Sequence, residues 1–234
     1  MDQVKLIHET NWDVLIILDA CRFDYFIKVN DIEGYLIQAY SPATCTVEWL
    51  KRVFNGYYDV TYISGNPIVN SVGVSIMGYR AKDHFKRIID VWDFGWDNEL
   101  STVPPWNINK YALKYIDKKM IIHYMQPHGV YIGEPKLIFR KRGTPHDVAF
   151  GDIYVVEKIR RGELTVELLR KAYEGNLRLV LKYVKELVEK LPHKKIVVTA
   201  DHGELLGEDG LFLHPCDRDH RILRIVPWLE IEKG

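Results

Sequence analysis

Reactive side chains stand at or just beyond the ends of four apolar runs in this chain of 234 residues. They are, in chain order, Asp19 after 14–18, Thr46 after 35–40, His123 and His128 after 120–122, and Asp201, His202 and Glu204 after 196–199. Acids, an imidazole and a hydroxyl in one place would suit a divalent metal ion with mixed oxygen and nitrogen ligands. Such an ion would lower the pKa of a threonine hydroxyl, otherwise a weak nucleophile, and neutralise charge on a phosphoryl oxygen.

The apolar runs themselves are typical of strands buried on both faces of a parallel sheet. Strong runs cover 14–18, 35–40, 60–63, 120–122 and 196–199, and weaker ones cover 87–91 and 222–226. Helical spacing of apolar residues predicts a long helix capped by Thr165 and ended by Leu191-Pro192, and a second helix over 107–118. This alternation predicts an α/β three-layer sandwich, in which helices flank a mostly parallel central sheet. We expect one domain, 1–234.

The predicted sheet also indicates where a site would lie. Ligands bind at the carboxyl ends of strands in open parallel sheets, so we expect all four groups at one edge. Helical residues follow Thr46, which should therefore open a helix whose free N–H groups favour an anionic substrate. Asp19 and Thr46 have the alternative interpretation of simple helix caps, and Thr44 or Cys45 is the alternative nucleophile. His123 is interpreted as a structural histidine.

Composition excludes some classes of protein. The chain has 32 basic and 32 acidic residues, which argues against dedicated nucleic-acid binding because that needs a basic excess. Its cysteines, Cys21, Cys45 and Cys216, are odd in number and form no CxxC pair, so neither a disulfide framework nor a thiolate zinc site is expected. The first residues lack a signal-peptide pattern, and no apolar run is long enough to cross a bilayer. We therefore expect a reduced, cytoplasmic protein without a membrane segment.

The stretch from Pro135 to Gly162 interrupts the alternation of strands and helices with glycine, proline and a basic cluster, Arg140-Lys141-Arg142. We interpret this cluster as part of a solvated loop. Contact with an anionic substrate is the alternative.

Several short motifs occur in a recognisable order. They are Leu18-Asp19-Ala20-Cys21-Arg22, the turn from Tyr40-Ser41 to Thr46, the block from His123 to His128, Thr199-Ala200-Asp201-His202-Gly203-Glu204, His214-Pro215, and Arg224-Ile225-Val226-Pro227-Trp228. With these motifs the chain resembles the alkaline-phosphatase-like superfamily, and specifically its sulfatase-like branch, over nearly its whole length.

The resemblance implies a role for particular positions. Asp19, Asp201 and His202 match the metal-binding acids and histidine, and Thr46 falls at the nucleophile, where it would also ligate the metal. The remaining matches, implied to contact the substrate, are His128, His214 and Arg22. In two-metal relatives the two histidines hold a second metal. Alternatively, Arg22 would position other site residues without contacting the substrate. Zn²⁺ or Mn²⁺ suits this ligand set better than Ca²⁺, since one ligand is a histidine.

The chain also departs from the family pattern. Sulfatases need a cysteine in a Cys-x-Pro-x-Arg context, whereas Cys45 is followed by Thr46-Val47-Glu48-Trp49. Gln126 stands where a two-metal member would have the acid of an Asp-Pro-His motif, so one ion is favoured over two. The chain is short for the superfamily, so we expect its substrate-capping insertions to be reduced or absent.

These observations favour a metal-dependent hydrolase or transferase that acts on a phosphate mono- or diester through Thr46. A small molecule or a lipid or sugar ester would be the substrate. One alternative is sulfatase or phosphonate hydrolase chemistry at the same site. Another is a degenerate member that binds only an anion or a partner, although a dead site would have no need for all four metal-site residues.

Overall fold

A seven-stranded sheet forms the centre of the computed structural model, which describes residues 1–138 and 153–234. Its strands are β1 Val14–Leu18, β2 Tyr35–Tyr40, β3 Tyr58–Ser64, β4 Phe85–Asp90, β5 Met120–Tyr124, β6 Lys195–Thr199 and β9 Ile225–Glu232, in the spatial order β2-β9-β6-β1-β5-β3-β4. A separate antiparallel pair consists of β7 Leu205–Leu206 and β8 Phe212–Leu213. The basic cluster Arg140-Lys141-Arg142 lies outside the described residues.

Strand direction brings the predicted site segments to one edge. β1 pairs in parallel with β5 and β6, and β3 pairs in parallel with β4 and β5. β9 is antiparallel to both β6 and β2. β2 therefore runs in the same direction as β6, and the carboxyl ends of β1, β2, β3, β5 and β6 lie at the same edge of the sheet.

Helices flank this sheet, which confirms the predicted α/β class. They are α1 Gln3–Glu9, α2 Phe23–Val29, α3 Thr46–Val53, α4 Val91–Phe94, α5 Pro105–Lys114, α6 Ile153–Arg160, α7 Val166–Lys190 and α8 Arg221–Arg224. The predicted cap of the long helix is confirmed, since the Thr165 side chain accepts a hydrogen bond from the Leu168 amide at 3.1 Å. α7 ends before Leu191 because the following Pro192 disfavours helical backbone at that residue. α2 and α5 pack against α7, and α1 packs against α3.

Two predicted elements differ from the structure. The helix expected over 107–118 is α5, which begins at Pro105 because proline is well suited to a first helical position. The strand expected over 222–226 is wrong. His220 instead caps the short helix α8 by accepting a hydrogen bond from the Ile222 amide, and β9 begins only at Ile225.

The prediction of reduced cysteines is also wrong. Cys45 and Cys216 form a disulfide across 171 residues of sequence, with their Cα atoms 5.1 Å apart, and Cys21 is a buried free thiol. Cysteine spacing could not reveal the bond, because the fold alone brings these distant positions together. Within the described parts of the chain, no helix is both long and apolar enough to cross a membrane.

Candidate metal centre

Four predicted site residues meet at the carboxyl edge of the sheet. Asp19 directly follows β1, while Asp201 and His202 follow the neighbouring strand β6. Thr46 is the first residue of α3, as predicted. All four side chains are buried, so an ion held there would be shielded from water on most sides.

The distances among these side chains fit a tetrahedral metal site. His202 Nε2 lies 3.3 Å from both Thr46 Oγ1 and Asp201 Oδ2, and 3.7 Å from Asp19 Oδ1. Neighbouring ligand atoms of a tetrahedral zinc ion are roughly 3.3 Å apart, given the usual metal–ligand distances. The hydroxyl of Thr46 donates to Asp201 Oδ2 over 2.7 Å. The residues therefore fit a divalent ion.

Local hydrogen bonds orient the two ligands supplied by β6. The amides of Ala20 and His202 donate to Asp201 Oδ1 at 3.1 and 2.9 Å, which turns Oδ2 toward Thr46. His202 Nδ1 faces the Gly203 carbonyl at 2.9 Å, and donation there leaves the lone pair of Nε2 for the metal. Burial lowers the pKa of His202 and so favours its neutral, ligating form.

Asp19 has its own set of supporting side chains. Asn66 Nδ2 donates to Asp19 Oδ2 at 2.7 Å, and His123 Nε2 lies 3.6 Å from the same oxygen. Burial alone would raise the pKa of Asp19, but the neighbouring imidazoles of His123 and His128 hold it well below its usual range. Sequence reasoning did not identify Asn66. Its one available signal is its position two residues beyond β3, at the same sheet edge.

A second group of possible ligands lies beside the first. It consists of His128, Glu204 and His214, whose candidate ligand atoms all lie within 4.8 Å of one another. His214 Nδ1 is 3.0 Å from Glu204 Oε2, and its ring centroid is 4.4 Å from that of His202 and 4.9 Å from that of His128. Glu204 Oε1 is buried without a hydrogen-bond partner, so this oxygen could bind a cation or a polar ligand atom.

Two residues named in the sequence analysis point elsewhere. The buried Arg22 guanidinium is occupied by Asp24, Glu208 and the Glu204 carbonyl, at 2.7–3.1 Å. It supports the turn that carries Glu204 rather than joining the histidines. The Gln126 side chain donates to Val103 O at 3.1 Å, away from both groups. Cys45 is excluded as a thiolate nucleophile in this disulfide-bonded form.

Comparison with known proteins identifies the fold. No family model and no curated protein matches the sequence. The structure is similar to the soluble domain of lipooligosaccharide phosphoethanolamine transferase A from Neisseria meningitidis, with a TM-score of 0.59, 13% identity, and coverage of 93% of this chain and 75% of that one. It is also similar to the periplasmic domain of EptC from Escherichia coli in complex with zinc, with a TM-score of 0.58, 12% identity, and coverage of 96% of this chain and 74% of that one. For a candidate sulfatase from Bacteroides thetaiotaomicron the TM-score is 0.50 and the identity 16%, with coverage of 94% of this chain and 64% of that one.

These neighbours confirm the resemblance drawn from the motifs at the level of the fold. The chain shares the fold of these three proteins, as the resemblance implies. At 12–16% identity the likeness defines the fold alone, so the chemistry has to be argued from the side chains.

Proposed function

We propose that this protein is a metal-dependent enzyme that transfers or hydrolyses a phosphate ester, with Thr46 as the nucleophile. One observation carries the proposal: Thr46 Oγ1 lies 2.7 Å from Asp201 Oδ2 and 3.3 Å from His202 Nε2, inside a buried ligand set. Thr46 does not cap α3, because Cys45 is the N-cap residue and the Thr46 hydroxyl donates to Asp201 instead. This arrangement also favours Thr46 over Thr44, whose hydroxyl donates to the Pro215 carbonyl at 2.9 Å.

The residues divide the reaction between them. Asp19, Thr46, Asp201 and His202 would hold the ion, which supplies Lewis-acid stabilisation of phosphoryl charge and activates the hydroxyl. Asp201 Oδ2 is placed to accept the Thr46 proton as the bond from Oγ1 to phosphorus forms and the bond to the leaving alkoxide breaks. His128 or His214 protonates that alkoxide. Water or an acceptor alcohol then attacks the phosphothreonine and gives its proton to the histidine that protonated the leaving group. The bond from phosphorus to Oγ1 breaks, and Thr46 takes its proton back from Asp201.

Zinc is the ion we favour, because the ligand distances suit it and a zinc complex is known for a structural neighbour. Manganese remains the alternative from the ligand types. We propose one ion at the first group. A second ion at His128, Glu204 and His214 would convert the site to a two-metal centre, and metal stoichiometry decides between the two arrangements.

For the substrate we propose a phosphodiester or phosphomonoester of a small molecule, lipid or sugar. The neighbours named for phosphoethanolamine transfer include a lipooligosaccharide phosphoethanolamine transferase, which supports a transferase acting on such esters. Sulfatase chemistry through formylglycine is disfavoured, since Cys45 lacks the required context and forms a disulfide. That disulfide and the periplasmic location of a neighbour favour an oxidising compartment over the cytoplasm.

The test compares two buried threonines that donate hydrogen bonds of equal length to aspartates. Thr46→Ala removes the proposed nucleophile, whereas Thr61→Ala removes the 2.7 Å bond to Asp117, away from the site. With zinc-loaded protein and a panel of phosphate mono- and diesters, we expect Thr46→Ala to lose turnover by at least about 1,000-fold, with Thr61→Ala close to wild type. A Thr46→Ala variant with comparable turnover refutes the nucleophile. Wild-type protein that binds zinc but turns over no ester favours the degenerate alternative.

A further inference from the structure

The disulfide joins two segments that carry site residues. Cys45 is the N-cap residue of α3 and directly precedes Thr46. Cys216 lies two residues beyond His214. A second link runs beside it, since the Thr44 hydroxyl donates to the Pro215 carbonyl at 2.9 Å. The chain segment of the nucleophile is therefore tied to the segment of a histidine of the second group.

The segment 214–219 depends on such links for its position. It is irregular backbone between β8 and α8, and its residues are half-buried or exposed. β8 itself pairs over only two residues with β7. Segments with little buried surface and short pairing open most readily in folded proteins. A covalent tie at Cys216 would therefore have a large effect on where His214 lies.

We propose that the Cys45–Cys216 disulfide is a positioning element that holds His214 at Glu204 and beside His202. The second group is then complete only while the disulfide is intact. Its catalytic consequence rests on the proposed function, but the position of His214 does not. Cys45 is 5% exposed whereas Cys216 is exposed, so a reductant can reach the bond from the Cys216 side.

Reduction would make the site redox-sensitive. A dithiol gives two electrons and two protons to the disulfide; the Sγ–Sγ bond breaks, two thiols form, and the reductant becomes a cyclic disulfide. The segment 214–219 is then held by non-covalent contacts alone, among them the hydrogen bond from Thr44 to Pro215 and the ion pair of Asp219 with Arg224. We expect His214 to leave Glu204 while the sheet and the first group stay folded.

The bond itself is tested by alkylating the denatured but unreduced protein. One modified cysteine, Cys21, and a cross-linked peptide containing Cys45 and Cys216 are expected. Alkylation of all three cysteines in freshly purified protein would overturn the proposal.

The position of His214 is tested by the rate at which diethyl pyrocarbonate modifies each histidine in metal-free protein, read by peptide mass spectrometry. The exposed His8 is the internal reference, and the buried His123 reports on unfolding. After reduction we expect the rate for His214 relative to His8 to rise about tenfold, with His123 still protected. A Cys45→Ser/Cys216→Ser variant should behave like the reduced protein and be insensitive to dithiol, whereas Cys21→Ala keeps the wild-type response.

Two outcomes overturn the positioning role. In the first, His214 keeps its wild-type rate in folded protein without the disulfide. In the second, His123 becomes reactive together with His214, which makes the disulfide a general stabiliser. Neither outcome depends on turnover, so failure of Thr46 as nucleophile and failure of this proposal are separate results. Where both proposals hold and His214 is the general acid, the reduced enzyme loses kcat by about tenfold or more, because that acid is displaced.

Discussion

A neutral amide orients the carboxylate of Asp19. Asn66 donates to one of its oxygens at 2.7 Å, and Tyr62 fixes His123 on the same side through a contact of 2.8 Å between its hydroxyl and His123 Nδ1. An amide donor orients a carboxylate without neutralising it, so the hydrogen bond from Asn66 leaves the negative charge of Asp19 available to a metal ion. Loss of such a supporting partner typically weakens metal binding by about 10- to 100-fold.

Asn66→Ala should therefore weaken zinc binding without removing a ligand. We expect a loss of affinity of about 10- to 100-fold, since Asp19 is then free to rotate. Competition with a calibrated chelator measures it. Asn107→Ala, which removes a 2.9 Å bond to the Gly95 carbonyl outside the site, is the matched control and should bind zinc like wild type. Equal affinity in both variants would mean that Asn66 does not position Asp19.

Asn66 also marks the limit of sequence reasoning at this scale. Asp19, Thr46, Asp201 and His202 could be placed together because each follows an apolar run or its turn, and strand direction then decides their location. An asparagine after β3 has no distinctive chemistry in sequence, and its role depends on where its amide points. The same holds for Glu204, which was visible in a motif but whose pairing with His214 required the fold.

At the scale of elements, one buried guanidinium fastens the turn after β6 to the turn after β1. Arg22 contacts the Glu204 carbonyl and the Glu208 carboxylate, and Arg170 of α7 reaches the same Glu208 at 3.3 Å. Glu208 is 19% exposed. Burial would raise its pKa, but the bond to Arg22 outweighs this effect and lowers the pKa below its ordinary value.

The lowered pKa gives a pH-dependent contribution to stability with a definite sign. A carboxylate with a depressed folded-state pKa stabilises the protein above its unfolded pKa and loses that effect as the pH falls through the folded pKa. We expect Glu208→Gln to lower the free energy of unfolding of metal-free protein by about 1 kcal/mol at pH 7, allowing for partial solvent screening. The difference from wild type should shrink below about pH 4.5. Denaturant unfolding at several pH values measures it.

The control is an exposed ion pair with the same 2.8 Å separation. Glu163 contacts Lys158 at the surface, where such pairs contribute little. Glu163→Gln should leave the unfolding midpoint unchanged within error at every pH. A pH-independent effect of Glu208→Gln would contradict the ion-pair explanation.

For the whole molecule, the sequence predicted the class of fold better than the way in which the C-terminal segment completes the sheet. Uninterrupted apolar runs such as 14–18 leave little choice but a strand covered on both faces, and the five strong runs are all strands of the sheet. The last strand was misplaced, because Pro227 and two glutamates interrupt the apolar pattern of β9 while Ile222 and Leu223 imitate a strand. The disulfide was missed for a related reason: it depends on how the chain end returns across the sheet.

The metal centre joins parts of the chain that are far apart in sequence, so ion binding should stabilise the whole fold. Its ligands come from the turn after β1, the start of α3 and the turn after β6, at positions 19, 46 and 201–202. Zinc at about 100 times its Kd would add about 2.7 kcal/mol to the free energy of unfolding. For a chain of this size that corresponds to a rise in Tm of roughly 5–10 °C.

Asp201→Asn keeps an oxygen for the amides of Ala20 and His202 but presents no second carboxylate oxygen to the ion. This variant should fold without showing the shift, and a chelator should abolish the shift in wild type. A zinc-induced rise that persists in Asp201→Asn would place the ion elsewhere and remove the basis for Thr46 as a metal-activated nucleophile.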